Sequence, residues 1–151
     1  MRVREAMSDD VRIANPNQSI RDAATTMAQI DAGVLPVGEN DRLVGMITDR
    51  DIAVRAIALG KGPDTPIRDV MSEHVKFCFE DDDVDEVAQK MADIKVRRLP
   101  VLSRDKRLVG IVSIGDLALA DGPSNVGEAL CDISKPGGAH SQSVDGSIPA
   151  R

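Results

Sequence analysis

The chain has 151 residues, with 19 Lys and Arg against 25 Asp and Glu and a formal net charge of −6 at pH 7. This balance argues against surfaces for nucleic acid or anionic membranes, which need a positive footprint. The sequence has no Trp or Tyr and only two Phe. A protein that stacks bases on aromatic side chains is therefore nearly excluded. Any bound ring would be held by aliphatic side chains.

The cysteines and histidines are scattered along the chain. Cys78 and Cys131 have neither a CxxC nor a Cys/His ligand spacing, and His74 and His140 form no close pair with them. The pattern predicts neither a disulfide framework nor a metal site. The first residues lack an apolar run of signal-peptide length, and no stretch approaches about 18 apolar residues. We therefore expect a soluble protein in a reducing cytoplasm.

The sequence contains an internal duplication. When it is aligned with itself, four pairs of segments match: Arg4–Ser8 with Arg68–Ser72, Leu35–Val37 with Leu99–Val101, Arg42–Gly45 with Arg107–Gly110, and Asp51 with Asp116. Such a repeat indicates two copies of one structural unit.

Each half is predicted to begin with a short strand, Val11–Ala14 in the first copy and Val75–Phe79 in the second. A helix follows, because apolar residues recur at the spacing of an amphipathic helix. Its buried stripe is predicted to be Ile20, Ala23, Ala24, Met27 and Ile30 in one copy and Val84, Val87, Ala88, Met91 and Ile94 in the other.

Two more strands and a second helix complete each half. Strands Val34–Val37 and Arg98–Leu102 each contain a proline, which cannot donate to a ladder. We predict them as edge strands, or as strands whose N–H side faces a cleft. A polar turn leads to strand Leu43–Ile47 or Leu108–Val112, and a helix begins at Thr48 or Ser113. The fold class is thus α/β (α+β), with two β-α-β-β-α units.

The predicted boundaries are 1–62 for the first repeat, 63–120 for the second, and 121–151 for a short helix and a flexible tail. Gly60 and the prolines after it end the first repeat. Val126–Ile133 is predicted as the short helix and Pro136–Arg151 as the tail. Since about 60 residues are marginal for an independent fold, we expect the repeats to pack together about a pseudo-twofold axis.

A hydroxyl followed three residues later by an acid occurs at Thr48–Asp51 and Ser113–Asp116, where a strand becomes a helix. This pattern predicts reciprocal capping of the helix. Ser19–Asp22 and Asp83–Glu86 have a similar pattern at the other two helix starts. The alternative is a ligand site, because helix-start N–H groups favour polar partners and a carboxylate accepts two hydrogen bonds from a vicinal diol, such as that of ribose. Both interpretations stay open at this point.

The duplicated unit, with its LPV strand, polar turn, LVG strand and final T/S-x-x-D, resembles the CBS domain. The tandem arrangement resembles a CBS pair, or Bateman module, of the stand-alone bacterial type, over roughly residues 3–120. Thr48–Ile52 is similar to the TDRDI of bacterial members. Met7-Ser8 and Met71-Ser72 match the lead-in of such repeats.

The resemblance implies a non-catalytic sensor that binds AMP, ATP, NAD or S-adenosylmethionine as a regulatory ligand in clefts between the repeats, with no required cofactor. It assigns ribose contacts to Thr48 with Asp51 and to Ser113 with Asp116. Arginines that suit phosphate are Arg50, Arg97 and Arg98. Positions that line the adenine pockets are Ile13, Ala14, Val34, Pro36, Phe77, Cys78, Leu99 and Pro100.

The resemblance also implies a homodimer joined through exposed helix faces, because Ile52, Val54, Ala56 and Ile57 give one helix excess apolar surface. Two other function classes remain. A structural or adapter dimer with vestigial clefts is the main alternative. An enzyme is disfavoured, because no Ser/His/Asp or Cys/His set is apparent. The expected partners are an adenosine-containing molecule, a second copy and an unidentified protein, without nucleic acid or membrane.

Overall fold

The helices and strands follow the order predicted for two repeats. A computed structural model describes residues 1–121 and 124–135, and the side chains of residues 1–120 and 126–135. The helices are α1 (Val3–Ala6), α2 (Ile20–Ile30), α3 (Asp49–Asp51), α4 (Val84–Ile94), α5 (Ile114–Asp121) and α6 (Ser124–Ser134). The strands are β1 (Val34–Glu39), β2 (Arg42–Thr48), β3 (Cys78–Phe79), β4 (Arg98–Leu102) and β5 (Leu108–Ser113). The predicted mixed fold class is confirmed, and the predicted tail lies outside the described residues.

The first strand of each repeat is much shorter than predicted. In the first copy only Ala14 pairs, in a parallel bridge with Val37. In the second copy β3 keeps two residues, paired in parallel with β4. The predictions of strands over Val11–Ala14 and Val75–Phe79 were therefore wrong in extent.

A proline explains why these parallel ladders stop. Ala14 N–H donates to the Pro36 carbonyl at 2.9 Å, and Gly38 N–H donates to the Ala14 carbonyl at 2.9 Å. The next bond toward the amino terminus would need an N–H on Pro36, and proline has none. Pro100 holds the equivalent place in β4. The predicted edge position was wrong, since β4 lies between β3 and β5 and β1 lies between Ala14 and β2.

The helices that follow the first strands, α2 and α4, have the predicted bounds, but their buried faces differ. Ala88 is buried on α4, whereas its counterpart Ala24 on α2 is exposed. Helix α6, predicted from Val126–Ile133, packs on α4 and covers Ala88. The predicted burial of Ala24 was wrong because no described element covers that face of α2.

The helix predicted to begin at Thr48 forms and continues to Leu59, but it is irregular. After the single turn of α3 it continues as a π-helical segment, Ile52–Ala56, and ends as a 3₁₀ turn, Ile57–Leu59. Ala56 lies in the core, so the expectation that it adds to an exposed apolar face was wrong.

The chain divides into two compact units whose composition differs from that of the sequence repeats. One unit contains residues 1–9, 77–104 and the described residues from 109 to 135, and the other contains residues 10–76 and 105–108. The first residues of each repeat, 1–9 in the first and 63–76 in the second, therefore belong with the body of the other repeat. We call these two segments the lead-ins. Val3 lies in the core of the unit that holds α4, and Ile67 lies in the core of the unit that holds α2.

Each lead-in pairs with a strand beside a glycine. Ser8 bridges Ile111 of β5, next to Gly110, and Ser72 bridges Met46 of β2, next to Gly45. A Cβ atom on Gly45 would lie 2.7 Å from Met71 Sδ and 2.8 Å from the Ser72 carbonyl oxygen. Gly110 has the same distances to Met7 and Ser8. Glycine is needed here because the lead-in backbone approaches too closely for any side chain.

We expect Gly45→Ala to lower the free energy of unfolding by about 1–3 kcal/mol, because the added methyl group meets the Ser72 backbone and not only the flexible Met71 side chain. Urea denaturation measures this change. Gly127→Ala is the matched control, since its Cβ meets nothing within 4 Å and alanine is the better helix former by about 1 kcal/mol. An unchanged unfolding midpoint for Gly45→Ala would contradict the close approach.

Candidate functional site

The Thr48–Asp51 pair lies where β2 passes into α3. Thr48 N–H donates to Asp51 Oδ2 at 3.0 Å, and Asp51 N–H donates to Thr48 Oγ1 at 3.0 Å. This is the predicted capping box. Asp51 is only 1% exposed, which makes it the one buried charged residue among the side chains that the structure describes.

The Ser113–Asp116 pair repeats this arrangement between β5 and α5. Ser113 N–H donates to Asp116 Oδ2 at 2.9 Å, and Asp116 N–H donates to Ser113 Oγ at 3.0 Å. Asp116 is partly buried. Each box holds its carboxylate in a defined orientation. Since a carboxylate offers about four acceptor positions, the cap does not exhaust its capacity.

The other two helix starts differ from each other. Ser19 and Asp22 form a capping box at the start of α2, with bonds of 3.1 and 3.2 Å, and Asp22 is exposed. At α4, Asp83 instead accepts from Asp85 N–H at 2.9 Å. Asp83 is thus the N-cap of α4, as predicted, but the reciprocal bond with Glu86 is not formed, because an aspartate at the cap position reaches the second helical N–H directly.

A backbone bond ties each box to the strand that contains the LPV motif. Asp49 N–H donates to the Gly33 carbonyl at 2.9 Å, and Ile114 N–H donates to the Arg97 carbonyl at 2.8 Å. Gly33 and Arg97 directly precede β1 and β4. Each unit thus brings together its own hydroxyl, carboxylate and proline-containing strand.

The residues predicted to line adenine pockets differ in their exposure. Ile13 is 49% exposed, and Val34 and Phe77 are partly buried. The other five are buried: Ala14, Pro36, Cys78, Leu99 and Pro100. The Ala14 N–H and carbonyl are both used in the ladder with β1, so they are already paired with protein groups. The Phe77 carbonyl accepts a hydrogen bond from Lys90 Nζ, a contact that the sequence did not suggest.

Cys78, the first residue of β3, is fully buried, and its Sγ lies 3.8 Å from the Pro100 carbonyl oxygen. Burial raises the pKa of the Cys78 thiol to about 12; the nearby Asp82 adds to the rise and Lys90 opposes it. The thiol is therefore neutral at physiological pH, and its role is that of a small apolar side chain.

The predicted phosphate-binding arginines also differ in their surroundings. Arg97 and Arg98 are exposed. Arg50 is partly buried, and its Nε has no hydrogen-bond partner among the described residues. Farther along the same helical segment, Arg55 Nη1 donates to the Val70 and Met71 carbonyls at 3.1 and 3.3 Å.

A cavity of about 220 Å³ lies elsewhere, between α4 and α6. Its walls are two carboxylates, one amide and three alanines: Asp85, Glu128, Gln89, Ala88, Ala92 and Ala129. It contains none of the predicted site residues, and we interpret it as the groove between two packed helices. Within the described part of the chain, no group of His, Cys, Asp and Glu is arranged to hold a metal, and no helix is long and apolar enough to cross a membrane.

Each of the two units has one hydroxyl–carboxylate box at a strand–helix junction, as a tandem repeat of one domain would. The CBS domain family model matches residues 3–57 and 67–122. The chain belongs to the CBS domain family, and its two tandem domains form a Bateman module. No catalytic family is shown for it.

Similar proteins support this assignment. The CBS domain-containing protein YhcV of Bacillus subtilis is 40% identical over 133 residues, which cover 87% of this chain and 94% of YhcV. The CBS domain pair of MJ0100, crystallised with 5′-methylthioadenosine and S-adenosyl-L-methionine, has a TM-score of 0.72 and 33% identity, covering 81% of this chain and 96% of that one. CBSX2 in complex with AMP has a TM-score of 0.69 and 25% identity, covering 79% and 94%.

The two cysteines should differ sharply in reactivity. At neutral pH a thiol reagent such as DTNB is expected to modify the exposed Cys131 in the native protein and to leave Cys78 unmodified, because that thiol is buried and protonated. Unfolding in guanidinium should release the second thiol. Cys131→Ser is the control and should show almost no labelling before unfolding. Rapid labelling of native Cys131→Ser would contradict the packing of Cys78.

Proposed function

We propose that this protein is a non-catalytic ligand sensor that binds an adenosine-containing molecule at Thr48–Asp51 and Ser113–Asp116. AMP, ATP, NAD and S-adenosylmethionine are the candidate ligands. In each site the hydroxyl and carboxylate would hold the ribose diol. The apolar walls would be Ile13, Ala14, Val34, Pro36, Phe77, Cys78, Leu99 and Pro100, and Arg50, Arg97 and Arg98 would meet phosphate oxygens.

The burial of Asp51 is the observation that carries this proposal. Ser19 and Asp22 form a capping box with an exposed aspartate, so capping alone does not require a buried carboxylate. Removing a carboxylate from water costs free energy unless hydrogen bonds compensate. The Asp51 carboxylate is 1% exposed at the junction of β2 and α3, where its cap hydrogen bond fixes its orientation. A carboxylate held in a fixed orientation is suited to a second role in holding the ribose diol.

The solved neighbours favour the same ligand class. The MJ0100 pair was crystallised with two adenosine derivatives and CBSX2 with AMP. Adenosine is their common chemical part, while the charged groups differ. We therefore assign the adenosine group to this protein's sites by analogy. We also propose that the protein acts in the cytoplasm, where such ligands are abundant.

A thermal-shift series separates the sensor from the adapter with vestigial clefts. AMP, ATP, NAD and S-adenosylmethionine are each added at increasing concentration. A ligand that binds only the folded state stabilises it by about 2.7 kcal/mol at a hundredfold excess over its Kd. A rising melting temperature supports the sensor. No shift with any of the four would favour the adapter.

Binding should depend on the two carboxylates. Asp51→Ala or Asp116→Ala removes hydrogen bonds to a charged acceptor, each worth roughly 1.5–3 kcal/mol, so affinity at the altered site should fall about ten- to a hundredfold. Isothermal calorimetry with AMP measures this loss. Asp22→Ala is the matched control, because it removes an equivalent capping carboxylate from α2. Circular dichroism verifies that all three variants are folded, and equal affinities in all three would leave Asp51 and Asp116 with capping alone.

We also infer a homodimer. Large apolar side chains are exposed on the helical segment after each box: Ile57 and Leu59 are 60% and 70% exposed, and Leu119 is 91% exposed. Large exposed apolar side chains favour an interaction with another apolar surface, and a second copy offers the same side chains in return. Light scattering at micromolar concentration should give the mass of a dimer. Leu119→Glu should shift the mass toward the monomer and Ala24→Glu, on an exposed position of α2, should not; a monomeric wild type would contradict the inference.

A further inference from the structure

One lysine makes a contact beside the second candidate site that the proposed function does not use. Lys90 of α4 donates from Nζ to the Phe77 carbonyl, and Nζ lies 5.7 Å from the centroid of the Phe77 ring. The same ring meets Phe79 edge to face, with the two ring centroids 5.5 Å apart. Lys90 is partly buried. The ammonium group is therefore held beside the residue that precedes β3.

Phe77 belongs to the same unit as the Ser113–Asp116 box and lies toward the same end of the sheet. The strands are ordered β3-β4-β5, and β3 runs parallel to β4. The Ile114 N–H donates to the Arg97 carbonyl at 2.8 Å, so the end of β5 lies beside the start of β4. Across the sheet, Phe77 and the box are thus two strand spacings apart, about 10 Å. A purine nucleoside can bridge such a span.

The alternation of side chains along the strands defines which face a ligand would meet. Cys78, Leu99 and Val101 belong to the core cluster on one face of the sheet. Since successive side chains of a strand point to opposite faces, Phe77 and Pro100 lie together on the other face. If the box holds a ribose, the base extends along this second face, with Phe77 and Lys90 at its far end.

The Lys90–Phe77 hydrogen bond leaves both partners with unused capacity. A backbone carbonyl has two lone pairs and a lysine ammonium has three donors, and this bond uses one of each. Adenine carries a donor at position 6, its amino group, whereas guanine and hypoxanthine carry an acceptor there, the 6-oxo group. An acceptor and a donor side by side can therefore meet either kind of purine.

The first repeat lacks this pair. In the alignment of the repeats, Phe77 corresponds to Ile13 and Lys90 to Thr26. Thr26 has no charge, and its Oγ1 donates to the Asp22 carbonyl of its own helix at 3.1 Å. The position that supplies an ammonium group in the second repeat therefore supplies none in the first.

We propose that Lys90 and the Phe77 carbonyl let the Ser113–Asp116 site bind 6-oxopurine nucleotides, with hypoxanthine or guanine as the base, as well as adenosine ligands. This inference rests on the proposed function, because it takes the ribose to be held by Asp116. Lys90 donates to the 6-oxo group, and the second lone pair of the Phe77 carbonyl accepts from a 6-amino group. With Thr26 at the equivalent position, the Thr48–Asp51 site has the narrower range of bases.

The test compares AMP with inosine monophosphate (IMP), in which an oxo group replaces the 6-amino group while ribose and phosphate are unchanged. In an Asp51→Ala background, which isolates the second site, calorimetry should give IMP an affinity within about threefold of that of AMP. Lys90→Met keeps a long, flexible side chain and removes its donors. We expect it to lower IMP affinity about tenfold and to leave AMP affinity within about twofold.

Two further variants in the same background serve as controls. Lys90→Arg should keep IMP affinity within about threefold, since arginine also donates to the 6-oxo group and N7 of such bases. Lys61→Met removes the same charge from an exposed position in the other unit. Its IMP-to-AMP ratio should equal that of the background, and circular dichroism verifies that each variant is folded.

The outcomes separate this inference from the proposed function. If Lys90→Met lowers AMP and IMP affinity equally, or leaves both unchanged, Lys90 has no part in selecting the base and the inference is overturned. AMP binding with IMP more than about tenfold weaker in the background protein overturns it as well. Each of these results leaves the proposed function intact. Absence of both AMP and IMP binding to the wild-type chain would overturn the proposed function, and this inference with it.

Discussion

The pairing of each lead-in with a strand of the other repeat supports the rest of each unit. Ser72 bridges Met46 in the strand that ends at Thr48, and Ser8 bridges Ile111 in the strand that ends at Ser113. Only glycine at the adjacent position lets the lead-in backbone come so close. These strands lead directly into the capping boxes, so the candidate sites are built on backbone that a distant segment has already fixed.

The capping box and the ligand site are compatible uses of the same residues. A box orients its carboxylate by hydrogen bonds to the backbone, which is the preorganisation that a binding group needs. The comparison within one chain is informative here, since Asp22 caps while exposed and Asp51 caps while buried. Capping explains the hydroxyl and the acid at their spacing, and it leaves the burial of the acid to be decided by the surrounding tertiary structure.

The sequence predicted the boxes well because they depend on residues three positions apart. The boxes at Thr48, Ser113 and Ser19 are all confirmed. At α4 the cap is confirmed but the reciprocal bond is not, because Asp83 accepts from the nearer Asp85 N–H. The edge position predicted for the two proline-containing strands was wrong, since a proline is compatible with a central strand when the parallel ladder ends at that residue. No local feature of the sequence indicated that each lead-in packs with the body of the other repeat.

The sequence by itself determined the duplication, the order of helices and strands, and the hydroxyl–acid pairs, because these follow from repeat matching, hydrophobic period and local hydrogen bonding. The tertiary structure decided which equivalent residues are buried. Ala24 and Ala28 on α2 are exposed, whereas Ala88 and Ala92 on α4 lie beneath α6. The residue type is the same in all four positions. Burial depends on what packs against a face, and a helix's own sequence does not contain that information.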